Sequence, residues 1–252
     1  MIHVSALPGT PRSNGDWQAT IDLAVKEAKQ YNELELDAII LENMHDVPYL
    51  NRNVGPEITA AMTRLAIEVR KVTSLPLGLQ ILAGANREAL AVAKAADFQF
   101  VRVEGFIFGH LADEGYMDGC SGELLRYRKT IEAEHISIFS DIKKKHSSHA
   151  ITSDVSIAET AHAAEFFLSD GVIISGNATG QEADLEEIKA VKAGCSLPVL
   201  IGSGVNNDNI ARYFDFADGF IVGSYFKSDG NWTKSLDEKR ISDFMEIVNN
   251  LQ

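Results

Sequence analysis

The sequence predicts an α/β fold, namely a single (β/α)8 TIM barrel that occupies residues 1–252. Eight short apolar runs alternate with segments of helical periodicity, and strands that alternate with helices pair in parallel through crossovers. The length of 252 residues agrees with one barrel, because barrels of this kind commonly have about 250 residues. Two consecutive strands near the carboxyl end, at 198–201 and 219–222, finish in Gly/Ser turns, where such barrels commonly hold phosphate.

The predicted strands are bounded by turn-forming residues, and the segments between them carry apolar residues at helical spacing. An open doubly wound sheet is the alternative fold, but no Gly-x-Gly-x-x-Gly follows the first strand. Pro56 suits the first turn of the second helix. The strands are predicted at residues 2–5, 38–41, 77–82, 98–103, 136–142, 171–174, 198–201 and 219–222. The helices are predicted at residues 17–28, 58–72, 90–96, 124–133, 157–168, 185–191, 209–214 and 241–251.

The overall charge excludes some classes of partner. The net charge of −13 argues against non-specific nucleic-acid binding, which needs a basic surface, and against anionic membranes. No stretch of about 18 apolar residues is present, so no transmembrane segment is predicted. The apolar part of the first nine residues is too short for a signal sequence and is predicted to form a strand that runs into a turn.

The two cysteines, Cys120 and Cys195, have neither the spacing of a metal site nor that of a disulfide framework. Both are therefore predicted to be small apolar side chains in a reducing compartment. The protein is predicted to be cytoplasmic, and the sequence indicates no cofactor.

The two Gly/Ser turns are the predicted phosphate-binding elements. Small residues let the backbone approach a ligand closely, and N–H groups and hydroxyls near a helix start attract an anion. Tyr225 is predicted to open a helical turn beside them. The alternative is that the glycines only allow the chain to turn between strand and helix. The residues predicted to hold phosphate are Gly202, Ser203, Gly204, Gly223 and Ser224.

Charged residues lie at several predicted strand ends, where they are unusual unless they are paired or functional. Strand periodicity places Arg102 and Glu104 on one face of the fourth strand, and Asp141 and Lys143 on one face of the fifth. These four residues are predicted to form one polar cluster that faces the pocket. Alternatively, Arg102 neutralises Glu42 or Glu104 in a structural ion network.

The predicted chemistry is acid–base catalysis at these strand ends. Asp141 is the predicted general base, and Lys143 or Lys145 is the predicted electrophile or general acid. A Schiff-base aldolase is a further possibility, because desolvation lowers the pKa of a lysine. Lys144 points away from the other two lysines in an extended strand and is predicted to be solvated. The residues predicted to carry chemistry are Asp141, Lys143, Lys145, Arg102, Glu104 and Glu42.

No metal site is predicted from the histidines. His45 and His146 lack partners at metal-ligand spacing, and His3 is predicted to be a hydrogen-bonded core residue. A magnesium-type site is the minor alternative, since arginine and lysine already compensate the carboxylates. Its oxygen ligands would be Glu42, Glu104 and Asp141.

The longest irregular insert, at residues 106–123, follows the fourth strand and is rich in glycine and acidic residues. Long loops after barrel strands lie over the active face. The insert is therefore predicted to be a lid or, equally, a surface decoration.

Several motifs together resemble the BtpA family along nearly the whole chain, and their order and spacing are specific to that family. A Gly-Ser-Gly element alone would indicate only a phosphate-binding barrel. The motifs are MIHVSALPG at 1–9, DAIILEN at 37–43 with Pro48-Tyr49, FVRV at 100–103, LRYR at 125–128, Ser140-Asp141 with Lys145-His146, ATG at 178–180, PVLIGSGV at 198–205, IVG at 221–223 with Lys227, and Asp237 with Arg240.

The resemblance implies a barrel of the ribulose-phosphate-binding type and adds Thr179 and Gly180 to the residues expected to hold phosphate. For cyanobacterial members, the resemblance implies a thylakoid-associated factor that is needed for photosystem I to accumulate. Most members occur in non-photosynthetic organisms, some beside sugar-metabolism genes. Three strand-end positions depart from the family pattern: the segment that begins at Gln80 lacks an arginine, Glu104 replaces an asparagine, and Lys143 replaces a histidine.

Two classes of function remain open from the sequence, because a fold does not imply a function. The first is an isomerase or lyase that acts on a small phosphorylated ligand, most simply a sugar phosphate. The second is a non-catalytic assembly or stability factor that keeps the pocket as a remnant or a sensor. In either case a homo-oligomer is predicted, since most soluble oligomers are symmetric homo-oligomers.

Overall fold

The computed structural model describes residues 1–176 and 181–252. Strands and helices alternate through this part of the chain. The strands are β1 (Ile2–His3), β2 (Ile39–Glu42), β3 (Leu77–Gln80), β4 (Phe100–Val103), β5 (His110–Ala112), β6 (Gly115–Met117), β7 (Ser137–Asp141), β8 (Ser147–Ser148), β9 (Gly171–Ile174), β10 (Val199–Ile201) and β11 (Gly219–Phe220). The helices are α1 (Trp17–Glu33), α2 (Pro56–Arg70), α3 (Asn86–Ala95), α4 (Ser121–Thr130), α5 (Ile157–Phe166), α6 (Leu185–Gly194), α7 (Ile210–Tyr213) and α8 (Glu238–Leu251).

The eight predicted strands are all confirmed, as β1 to β4, β7 and β9 to β11. Each predicted helix is also present, with ends that differ by a few residues, because capping contacts rather than the apolar pattern decide where a helix begins. Pro56 stands in the first turn of α2, as predicted. In α8, the Asp237 side chain accepts a hydrogen bond from the N–H of Arg240, which starts the helix ahead of its first apolar residue.

The chain divides into two compact units. The first unit comprises Met1–Arg102 and Glu123–Ser137. Its strands β1, β2, β3 and β4 are parallel neighbours in chain order, so that His3 lies opposite Glu42 and Glu42 lies opposite Gln80. Fully buried aliphatic side chains from these strands and from α1, α2 and α3 form its core.

The second unit comprises Val103–Gly122 and Ile138–Gln252. Its strands β7, β9, β10 and β11 are again parallel neighbours in chain order. The insert at 106–123, predicted as irregular, instead contains the antiparallel hairpin of β5 and β6, and β8 adds a third strand to it. These strands were not predicted because they are short and because Leu111 and Tyr116 are exposed, so that no buried apolar run marks them.

In both units, an aromatic ring from the neighbouring strand fills the space beside a strand glycine. In the first unit, a side chain at Gly78 would overlap the ring of Phe100 on the next strand. In the second unit, a side chain at Gly171 would overlap the ring of Phe139. A glycine inside a strand marks close approach by a neighbour, and here the neighbour is an aromatic ring in both cases.

Candidate functional site

The first Gly/Ser turn follows β10 and is tied to the end of β9. The N–H of Gly202 donates to the carbonyl oxygen of Ile174 over 2.7 Å. The Ser203 hydroxyl oxygen is buried and accepts the N–H of Gly176 over 3.2 Å. Because that hydroxyl acts as an acceptor towards the backbone, its own proton remains for donation to another group.

Gly204 has a packing reason to be glycine. Its φ of +74° lies in the left-handed region, and a side chain there would overlap the backbone of Gln181. Its carbonyl oxygen accepts a hydrogen bond from Asn209 Nδ2 over 2.8 Å. Asn209 is buried and also donates to Glu182 Oε1 over 3.0 Å. The turn is therefore held by residues of its own unit. These contacts explain the glycine at position 204 by the path of the chain, without a ligand.

The second turn follows β11 and is held by α8. A 3-10 turn spans Ser224–Phe226, so the helical turn predicted to open at Tyr225 begins one residue earlier. Arg240 Nε donates to the carbonyl oxygen of Tyr225 over 2.7 Å, and its guanidinium lies 4.3 Å from the centre of the Tyr225 ring. This one arginine fixes both the backbone and the ring of Tyr225 beside the turn.

Three residues of these turns differ from Gly202, whose N–H is hydrogen-bonded to Ile174. Residues Gly204, Gly223 and Ser224 are partly exposed. Within residues 1–176 and 181–252, no acceptor receives their backbone N–H groups. The two turns follow neighbouring parallel strands, since Ile201 lies opposite Phe220. Thr179 and Gly180, which the family resemblance added to the phosphate-binding residues, lie outside the described residues.

A small cavity of about 20 Å³ lies at the carboxyl end of β7. A cavity of that size holds about one water molecule or one small polar group. The hairpin insert forms one wall, the segment after β7 a second, and Thr160 of α5 a third. The lining residues are Gly105, Ile107, Phe108, Gly109, His110, Asp141, Lys143, Lys144, His149, Thr152 and Thr160.

Lys144 is buried, so the prediction that it is solvated is wrong. Its side chain is 8% exposed, and its Nζ lies 3.4 Å from Glu104 Oε1. The physical reason is that β7 ends at Asp141 and Lys143 adopts a φ of +48°, so the alternation of an extended strand stops there. The sequence-based pairing of Glu104 with Lys143 is therefore replaced by a buried ion pair between Glu104 and Lys144.

The predicted catalytic lysines occupy different surroundings. Lys143 lines the cavity together with Asp141, and its Nζ donates to the carbonyl oxygen of Thr152 over 3.0 Å. Lys145 is not among the residues that line the cavity, and its backbone N–H donates to the Ser175 hydroxyl over 3.3 Å. An extended strand would have placed Lys145 on the same face as Asp141 and Lys143, but β7 ends at Asp141, so Lys145 lies beyond it.

Two histidines that the sequence did not single out also line the cavity. The rings of His110 and His149 lie 5.4 Å apart, and His149 Nε2 lies 3.0 Å from the carbonyl oxygen of Lys144. Burial lowers the pKa of His149, and the charges of Lys143 and Lys144 lower it further, against the opposing effect of the hydrogen bond to Lys144. No local spacing marks either histidine, because strand pairing between β5 and β8 brings their segments together.

The first unit carries the remaining predicted residues. Glu42 and Gln80 lie opposite each other, and Arg102 follows Val101, which lies opposite Leu79. All three polar side chains are buried. His3 is buried beside Glu42 in the register of β1 and β2, consistent with the predicted core position.

The loop after β2 uses its polar side chains to hold neighbouring loops. Asp46 accepts the N–H of Leu7 over 2.8 Å and Asn43 Nδ2 over 2.8 Å. Asn43 Oδ1 in turn accepts the N–H of Leu82 over 2.7 Å. Burial raises the pKa of Asp46, and the hydrogen bonds from Leu7 and Asn43 oppose that rise.

The described residues include no group of three or more histidine, cysteine, aspartate or glutamate side chains arranged to hold a metal ion. In the same residues, no helix is long and apolar enough to cross a membrane. Neither Cys120, which is buried, nor Cys195, which is half-buried, forms a disulfide.

Comparison with known sequences identifies relatives along the full chain. A sequence model described as the BtpA family matches residues 1–250. An uncharacterised protein of Caenorhabditis elegans, labelled mitochondrial, is 51% identical over 100% of this chain and 92% of its own length. The photosystem I biogenesis protein BtpA of Synechocystis is 34% identical over 98% of this chain and 86% of its own length.

Solved structures show the fold class. Thiamine phosphate pyrophosphorylase from Pyrococcus furiosus aligns with a TM-score of 0.60 at 16% identity, over 90% of each chain. Orotidine 5′-phosphate decarboxylase from Pyrococcus horikoshii aligns with a TM-score of 0.56 at 13% identity, over 99% of each chain. The fold is therefore α/β of the TIM-barrel type found in phosphate-binding enzymes, as the sequence predicted.

Proposed function

The chain belongs to the BtpA family, and we propose that its two Gly/Ser turns bind the phosphate group of a small phosphorylated ligand, most simply a sugar phosphate. The observation that carries the proposal is the set of N–H groups at Gly204, Gly223 and Ser224, which are partly exposed and meet no acceptor in the described part of the chain. Converging backbone N–H groups form anion-binding concavities.

The distribution of charge supports a local rather than a general attraction for phosphate. The chain carries a net charge of −13, so an anionic ligand needs a specific donor set. Ser203 adds a hydroxyl proton to the N–H donors of the first turn. The chain is similar in fold to a thiamine phosphate pyrophosphorylase and an orotidine 5′-phosphate decarboxylase, two enzymes named for phosphorylated compounds. This similarity is consistent with phosphate binding.

The proposed chemistry is of the isomerase or lyase type. Asp141 and Lys143 line the same cavity in the second unit, and the proposal places their carboxylate and ammonium groups beside one reacting group. The ion pair of Glu104 with Lys144 balances two further charges beside them. Arg102, Glu42 and Lys145 stay proposed contributors to the reaction.

A calorimetric titration tests the phosphate proposal. D-ribose 5-phosphate is expected to bind, and D-ribose, which lacks the phosphate, is expected to bind at least about tenfold more weakly, corresponding to about 1.4 kcal/mol. Ser203→Leu places a bulky side chain in the first turn and is expected to abolish the difference between the two ligands. Ala211→Leu changes an exposed residue of α7 in the same unit and serves as the control. Unchanged phosphate discrimination in folded Ser203→Leu protein would refute the proposal.

A non-catalytic assembly or stability factor is the second candidate function. It is favoured by the 34% identity to a protein named for photosystem I biogenesis. For this chain, the factor would bind the phosphorylated ligand without converting it. Asp141→Asn distinguishes the two candidates: an enzyme keeps its fold and ligand affinity but loses turnover, whereas a factor shows no turnover in the parent protein.

The protein is further proposed to be a cytoplasmic homo-oligomer. At the end of α5 stand three consecutive exposed apolar residues, Phe166, Phe167 and Leu168. Aromatic side chains are enriched in the cores of protein interfaces. Two cysteines that form no disulfide are consistent with a reducing compartment. A second copy of the chain is the proposed occupant of this apolar segment.

A further inference from the structure

The hydrogen bond of His149 determines which ring nitrogen is available. Its Nε2 lies 3.0 Å from the carbonyl oxygen of Lys144. A carbonyl oxygen can only accept, so Nε2 carries a proton in this contact. In the neutral imidazole, Nδ1 then has no proton and is the nitrogen that can take one.

The surroundings of His149 favour the neutral imidazole. His149 is half-buried, and Lys143 and Lys144 from the segment after β7 add positive charge nearby. His110 of β5 packs against the ring at 5.4 Å. Asp141 at the end of β7 lines the same cavity, and Glu104 pairs with Lys144. Burial and the two lysines lower the pKa of His149, against the hydrogen bond to Lys144, and a lowered pKa favours the unprotonated ring that a general base needs.

The cavity has room for the reacting end of a ligand rather than for a whole sugar. Its volume of about 20 Å³ accommodates one hydroxyl or carbonyl group. Lys143 donates one of its three protons to Thr152 and keeps others for an oxygen placed in the cavity. His149 and Lys143 therefore line the same small volume.

We propose that His149 is the proton-transfer base of this site and that its substrate is a phosphorylated α-hydroxy aldehyde or ketone. His149 Nδ1 removes the proton from the carbon next to the carbonyl group. The electron pair of that C–H bond forms a carbon–carbon double bond, and the carbonyl becomes an oxyanion that the Lys143 ammonium stabilises. His149 then returns the proton to the neighbouring carbon, while a hydroxyl proton moves between the two oxygens. The step needs no oxidant or reductant.

This inference rests on the phosphate-binding function proposed above. Asp141, previously expected to be the base, becomes a residue that orients a hydroxyl or balances the lysines.

The test uses a substitution that keeps the structural hydrogen bond. In His149→Gln, the side-chain amide can still donate an N–H to the carbonyl oxygen of Lys144, but it has no basic nitrogen. His162→Gln is the matched control, because His162 is an exposed histidine of α5 in the same unit. Thermal unfolding of both variants is expected to match that of the parent protein.

The measurement is the exchange of carbon-bound protons for deuterium in D2O, followed by proton NMR with D-ribulose 5-phosphate as the probe. The parent protein and His162→Gln are expected to exchange the proton, with a rate that falls as pH drops through the pKa of His149. His149→Gln is expected to exchange the proton at least about a hundredfold more slowly, with unchanged affinity for the probe. Its remaining exchange rate is expected not to fall as pH drops through the pKa of His149.

The outcomes separate the two proposals. Equal exchange by His149→Gln and the parent protein overturns the assignment of His149. Binding of the probe without any exchange by the parent protein also overturns it, but leaves phosphate binding intact. If the parent protein fails to bind D-ribulose 5-phosphate, D-ribose 5-phosphate and inorganic phosphate alike, both proposals are wrong.

Discussion

The two units use the carboxyl ends of their strands in opposite ways. After β2 in the first unit, the Asp46 side chain accepts the N–H of Leu7, and the Asn43 side chain accepts the N–H of Leu82. After β10 and β11 in the second unit, glycine-rich turns leave N–H groups that no described residue accepts. The first arrangement stabilises loops, and the second is the arrangement that we propose binds a ligand.

The contrast is informative because the strand cores of the units are alike. Phe100 covers Gly78 in the first unit, and Phe139 covers Gly171 in the second. Parallel strands in chain order recur in both. The difference in use therefore comes from the loops after the strands, where a few side chains decide whether backbone donors are satisfied internally.

Gly204→Ala should produce the largest effect on stability. The left-handed φ strains any side chain, and the added carbon would overlap the backbone of Gln181. We expect a loss of about 3 kcal/mol, measured by urea unfolding. Gly230→Ala is the matched control, because Gly230 also has a positive φ of +68° but an added carbon would meet only the Arg240 side chain, at an ordinary contact distance of 3.6 Å, and about 1 kcal/mol is expected there. Equal losses would show that packing against Gln181 contributes nothing.

Asp46→Ala should have the next largest effect. The substitution leaves the buried N–H of Leu7 and the amide of Asn43 without their acceptor, which costs about 2 kcal/mol. Asp22→Ala, at an exposed position of α1, controls for removal of a carboxylate. Affinity for D-ribose 5-phosphate should not change, since the substituted residue belongs to the first unit. A loss no greater than that of the control would contradict the role assigned to Asp46.

The pH dependence of Asp46→Ala gives a smaller and more specific effect. Burial raises the pKa of Asp46 in the folded protein, so the folded state binds the proton more tightly than the unfolded state. Protonation of Asp46 therefore stabilises the folded protein at a pH below the pKa that Asp46 has in the unfolded chain. This stabilisation is lost as pH rises through the higher pKa that Asp46 has in the folded protein. The free-energy difference between parent and variant should therefore grow from pH 7 to pH 4. A difference that shrinks on acidification would contradict the raised pKa.

Phe166→Glu should change association with little effect on folding. The Phe166 side chain is 76% exposed, so its replacement removes few contacts within the chain. If two copies meet at Phe166, Phe167 and Leu168, light scattering should give a mass above that of one chain for the parent protein and a lower mass for the variant. Leu50→Glu, also at an exposed apolar position, should leave the mass unchanged. A monomeric parent protein would exclude the interface.

The fold was predictable because its signals are local. Each barrel strand lies in a short, mostly apolar run, and Pro56 or the glycines after the strands mark where elements change. The hairpin at His110–Ala112 and Gly115–Met117 escaped prediction because its strands are short and partly exposed and because its third strand lies at Ser147–Ser148, far along the chain.

The site was only partly predictable. Asp141, Lys143 and Glu104 were found because charge at a strand end is unusual. The partner of Glu104 was missed, because periodicity cannot foresee that β7 ends at Asp141 and that Lys143 takes a positive φ. His149 was missed because its place beside the cavity depends on tertiary packing.

The most direct test of the central claim is an amide NMR titration with D-ribose 5-phosphate. Because the claim is that backbone N–H groups of two turns bind phosphate, the amide signals of Gly204, Gly223 and Ser224 should shift together and saturate with one dissociation constant. The amide of Gly230, a glycine of the same unit with a similar φ, should stay in place. Saturable binding that shifts other amides and leaves those three unchanged would contradict the account.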